Sequence, residues 1–73
     1  MMTLNENIRR IRESQGISQR DFANKIKILN QSQISKIEKG TRKVSATELA
    51  VMARSLNVSL DSFIKGTPNQ NNT

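Results

Sequence analysis

The sequence predicts an all-α fold, a compact five-helix bundle with no strand. Three observations carry this. Apolar residues recur at the three- and four-residue spacings of a helix face. A Thr, Ser or Asn stands before each such stretch as an N-cap. Gly or Asn closes every stretch but the second.

The first helix opens on a capping box, Thr3 with Glu6 three residues later. Leu4, Ile8 and Ile11 follow at i, i+4, i+7, and Gln15–Gly16 ends it. The second opens at Ser18, with Asp21 in the place of the box acid, and buries Phe22, Ala23 and Ile26. The third is capped by Asn30, points Ile34 and Ile37 inward, and stops at Gly40. The fourth opens on the box Ser45–Glu48, buries Leu49, Met52, Ala53 and Leu56, and ends at Asn57 in a left-handed turn. The fifth is capped by Ser59, carries Leu60, Phe63 and Ile64, and ends at Gly66. Residues 1–66 form the expected domain. Residues 67–73, TPNQNNT, are polar and should be a disordered tail.

With 73 residues there is room for one small domain of modest stability. Cys and His are absent, which excludes disulfides and the usual zinc sites, so no metal or cofactor is expected. No apolar run is long enough for a membrane span or a signal peptide, and a cytoplasmic location is expected. Twelve basic residues against six acidic give a net charge of +6, which favours a polyanionic partner. Both aromatic residues, Phe22 and Phe63, fall on apolar faces, which argues against single-strand binding by stacking.

The segment Ser18–Lys43 carries the function. A helix fits the major groove of B-DNA and reads it with short polar side chains at its N-terminal end. The third helix meets this description. Ile34 and Ile37 anchor it, leaving Gln31, Ser32, Ser35 and Lys36 outward, with Gln33 close to the same edge. Gln can bond adenine N6 and N7 bidentately, and Lys can donate to guanine O6 and N7. Lys39, Thr41, Arg42 and Lys43 follow as groups able to hold phosphates.

In this arrangement the chain resembles the Xre-like family, the Cro/phage-repressor type of helix-turn-helix protein. The carrying segments are Ile8–Glu13, Gly16–Gln19, Phe22–Ala23, Gln31–Gly40, Val44–Ser45, Leu49 and Leu56–Leu60. The match covers nearly everything from Asn5 to Ile64. The resemblance implies that the third helix lies in the major groove, with Gln31 and Ser32 at base edges and Lys36 one turn on. It implies phosphate contacts at the start of the second helix, from Ser18 and Gln19, and after the third, from Thr41, Arg42 and Lys43. It also implies that Glu38 pairs with Arg12 and braces the first helix against the third. The family's usual Gly in the turn is missing: Lys27–Ile28–Leu29 fills that place, one residue longer. Either the second helix runs on or the turn is non-standard, and Ile28 and Leu29 are both expected to be buried.

Catalysis finds no support, because His, Cys and Tyr are absent and no Gly-rich phosphate loop is present. A membrane-surface role needs charges segregated opposite a long apolar face, which the chain lacks. The expectation is therefore a non-enzymatic, sequence-specific double-stranded DNA-binding regulator. A phage-type repressor, a plasmid regulator or a restriction-modification controller would fit, acting as a homodimer and controlling its own gene. Activation would require contact with RNA polymerase. A short terminal helix cannot bury Leu60, Phe63 and Ile64 together, so they are the candidate dimer surface, with about one of the three closing the core. The competing expectation is a protein-interaction module of the same fold, such as an antitoxin or anti-repressor.

Overall fold

A computed structural model of the chain describes residues 3–66. The expected polar tail, 67–73, lies outside the described residues. Five helices follow in order: α1, Leu4–Ser14; α2, Gln19–Ile26; α3, Gln31–Lys39; α4, Ala46–Leu56; α5, Leu60–Lys65. No strand occurs among the described residues.

Local chemistry sets each helix start. Thr3, Ser18, Asn30, Ser45 and Ser59 are all N-caps in extended conformation, each accepting from the N–H three residues on. Capping boxes are complete at α1, α3 and α4. At α2 the Ser18 hydroxyl accepts from the Asp21 N–H (3.0 Å) without the reciprocal bond, because the shorter Asp side chain does not reach back.

Packing then assembles the bundle. α1 lies against α3 and α5, α2 against α3 and α4, and α4 against α5. Ile8, Ile11, Phe22, Ile34, Met52 and Phe63 are fully buried where these contacts meet. Phe63 therefore closes the core, while Leu60 (44 %) and Ile64 (67 %) remain exposed. Of the three expected dimer residues, Phe63 has no surface to offer.

Side-chain amides on α1 and at its C-cap, Gln15, tie this core to three other helices. Asn5 donates to the Glu38 carbonyl (3.0 Å), Asn7 to the Phe63 carbonyl (2.7 Å) and Gln15 to the Leu56 carbonyl (2.7 Å). Each acceptor lies near the C-terminal end of its helix, where carbonyls lack intrahelical partners. The buried Asn7 also fixes its neighbour: a Cβ on residue 66 would come within 2.7 Å of Asn7 Oδ1, and the φ of +79° there favours glycine as well.

Of the two alternatives expected for the segment between α2 and α3, the non-standard turn is the one found. α2 does not run on. Lys27 takes the left-handed conformation, φ 65°, and its N–H closes the helix on the Ala23 carbonyl. The N–H of Ile28 turns back to the Ile26 carbonyl (2.8 Å). Leu29 then enters the core at 5 % exposure, but Ile28 projects outward at 50 %. The extra residue is accommodated as an outward bulge, so only one of the two apolar residues is buried.

Candidate nucleic-acid interface

The candidate interface centres on α3, and α3 is held by Glu38. Its carboxylate accepts from Arg12 Nε (2.7 Å) and Nη2 (3.0 Å), a bidentate pair with both residues about 6 % exposed. The remaining guanidinium nitrogen, Nη1, donates to the Ile17 carbonyl (2.6 Å). Gln19 Nε2 donates to Glu38 Oε1 (3.0 Å). One buried carboxylate thus joins α1, the start of α2 and α3. One of the two Nε2 hydrogens of Gln19 is used in this network, and the main-chain N–H groups at the α2 N-terminus are further donors for the expected phosphate.

The outer face of α3 is open. Gln19, Gln31, Ser32, Ser35, Lys36 and Lys39 line one groove between the start of α2 and α3. Gln31, Ser32, Lys36 and Lys39 are exposed and Ser35 is half-buried. Gln33 has a different setting. Its Oε1 accepts from the Asn30 N–H (2.9 Å) as part of the α3 capping box, so the side chain is turned back on its own helix. Gln33 is therefore a capping residue and not part of the base-contact edge expected from its position, and Asn-x-x-Gln is the local signal for that role.

The loop after α3 divides into a structural and a free part. Thr41 closes α3, donating through both its N–H (2.9 Å) and hydroxyl (3.2 Å) to the Lys36 carbonyl. Arg42 makes a bidentate pair with Glu48 (3.1 Å to each oxygen), and Glu48 also caps α4 through the Ser45 N–H (3.0 Å). The hydrogen bonds from Arg42, then that from the Ser45 N–H, lower the Glu48 pKa from 4.5 to about 2. The same carboxylate raises the Arg42 pKa. Arg42 is thus not the free cation that the sequence suggested, since its charge is already met by Glu48. Lys39 and Lys43 are exposed and carry no anion partner among the described residues.

The same sorting holds across the molecule. Arg9 pairs with Glu13, Arg12 with Glu38, Arg42 with Glu48 and Lys65 with Asp61. Arg20, Lys25, Lys27, Lys36, Lys39 and Lys43 have no such partner among the described residues, and all lie on α2, α3 or the segments beside them. Arg54 on α4 is the exception. Four acids, Glu13, Glu38, Glu48 and Asp61, are taken up in these pairs. Among the described residues Asp21, in the first turn of α2, is the one acid beside the six cations without an ion pair, so this side keeps a positive excess. Among the described residues no cluster of Asp or Glu could hold a metal ion, and no helix is long and apolar enough to cross a membrane.

A helix-turn-helix family model matches residues 8–63, from the middle of α1 into α5. The chain belongs to the Xre/Cro-type helix-turn-helix family. Within that family α2 and α3 are the helix-turn-helix proper, and the protein is a DNA-binding regulator of this type. No curated protein matches the chain.

Two features of this helix-turn-helix protein were missed in the sequence. The Arg42–Glu48 pair spans a helix start, and Glu48 was already accounted for by its capping role. The α1 amides are polar residues whose partners lie 33 to 56 positions away. No local spacing signals either.

Proposed function

We propose that this protein is a sequence-specific transcriptional regulator that binds double-stranded DNA as a dimer on a two-fold operator and controls its own gene. A phage-type repressor and a restriction-modification controller both act in this way. α3 reads bases through Gln31, Ser32, Ser35 and Lys36. Lys39 and Lys43 hold phosphates, with Ser18 and Gln19 contributing from the start of α2.

The observation that carries the reading is the α3 groove. Its polar side chains are exposed and side by side, while the buried Glu38 fixes the helix from behind. Base readout needs short polar groups on a rigid helix, and phosphate contacts need unneutralised cations beside them. Leu60 and Ile64, exposed on α5, support a dimer contact without Phe63. Two recognition helices would then sit about 34 Å apart, one DNA turn. The protein acts in the cytoplasm, without cofactor or catalysis, and residues 1–66 are the functional unit.

Selection of bound sites from random duplex DNA, followed by gel shift on the DNA upstream of its own gene, tests the reading. Enrichment of a two-fold site present in that upstream DNA is the expected result. A selected site absent from it would remove the autoregulation.

A further inference from the structure

We infer that Arg20 and Lys27 form a second phosphate-contact site, on the flank of α2, which engages the DNA strand opposite the one held by Lys39 and Lys43. This rests on the DNA-binding reading above.

Arg20 and Asn24 stand at i, i+4 on one exposed face of α2, and Lys27, the exposed C-cap residue, borders the same surface. With Ala23, Leu29, Asn30 and Gln31 they line an open groove that contains no acid. Gln31 lines this groove and the α3 groove as well, so the two surfaces are continuous at the N-terminal end of the reading helix. Neither Arg20 nor Lys27 has an anion partner among the described residues.

The dimensions place these cations usefully. α3 has nine residues, about 13 Å at the usual helical rise. The major groove is about 12 Å wide, with a phosphate strand on each side. Lys39 and Lys43 lie at and beyond the C-terminal end of α3, and Arg20 and Lys27 border its N-terminal end. A helix gripped at both ends bridges the groove and cannot slide along its own axis. Lys27 adds a second indication. It holds a left-handed conformation that glycine takes without steric cost, so a cation occupies a position where the backbone favours glycine.

The test is fluorescence anisotropy of Arg20→Ala, Lys27→Gly and the double variant on the duplex selected by the wild type, over a range of salt. Each single variant should make the slope of log K against log salt shallower by about 0.9, and the double variant by about twice that. The selected sequence should not change. Lys27→Gly also suits the turn, so loss of binding with undiminished thermal stability separates a lost contact from a damaged fold. Arg20→Lys should restore the slope, and Arg54→Ala on α4 should leave it untouched. A wild-type protein that selects no site overturns the DNA reading itself. A selected site bound with an unchanged slope by the double variant overturns this inference alone, as would binding of that face to an acidic protein segment with no change on DNA.

Discussion

Arg12 and Glu38 join α1 to α3 through two parallel hydrogen bonds, 2.7 and 3.0 Å long, between nearly buried side chains. Gln19 completes the carboxylate's shell from α2. The placement of α3 is therefore set by an ion pair as well as by apolar packing.

Removing one member of such a pair strands a buried charge. Arg12→Ala or Glu38→Ala should each lower stability by about 3–5 kcal/mol, a large share for a domain of this size. The paired replacement Arg12→Met with Glu38→Leu should cost much less, because both charges leave together. Urea unfolding of the three variants measures this. Equal losses in single and paired variants would contradict it.

Glu48 gives the fold an acid-sensitive joint. Its folded pKa is depressed from 4.5 to about 2, chiefly by the Arg42 hydrogen bonds. A depressed carboxylate contributes stability above its unfolded value and loses it as pH falls through the folded value. The Arg42–Glu48 contribution should thus be complete above about pH 4.5 and fade toward pH 2. Thermal unfolding of Glu48→Gln should fall less steeply with pH across that window than that of the wild type. Arg42→Ala should likewise lower stability more than it lowers the salt slope of DNA binding, whereas Lys43→Ala should flatten the slope by about one unit.

The bulged turn makes two adjacent apolar residues unequal. Leu29→Ala should cost about 2–5 kcal/mol, as expected for a buried leucine. Ile28→Ala, at a half-exposed position, should stay within about 0.5 kcal/mol. Denaturant midpoints of the two variants give the comparison. A severe Ile28 effect would show that the longer turn packs inward.

On α5 the same logic separates the core from the proposed dimer contact. Leu60→Asp with Ile64→Asp should yield a folded monomer by sedimentation with weakened operator binding. Phe63→Ala should lose about 3–5 kcal/mol whatever the oligomeric state. A wild-type protein that sediments as a monomer at high concentration would remove the dimer from the account.

The helices were legible because their signals are local. Thr3, Ser18, Asn30, Ser45 and Ser59 each cap within three residues, and the apolar spacing marks the buried faces. The α3 groove was legible for the same reason: once Ile34 and Ile37 point inward, Gln31, Ser32 and Lys36 must point out. What escaped is mostly a matter of packing, except Gln33, whose capping box with Asn30 is local. Nothing near Arg42 in sequence distinguishes a cation free for phosphate from one folded onto Glu48. Nothing in Lys27–Ile28–Leu29 says which residue will take the left-handed conformation, because lysine is not a favoured left-handed residue. The place of Phe63 follows from the depth of α5 against α1, which helical spacing alone does not give.

The central claim is that α3 reads DNA sequence through its exposed N-terminal amide. Selection from random duplex DNA with the wild type and Gln31→Ala tests it most directly. The wild type should enrich a two-fold site with half-sites about one helical turn apart. Gln31→Ala should bind that site with preference relaxed at one base pair per half-site, a loss of about 1–3 kcal/mol there. Enrichment of the same site with undiminished preference at every position by Gln31→Ala, or no enrichment by the wild type, would contradict the account.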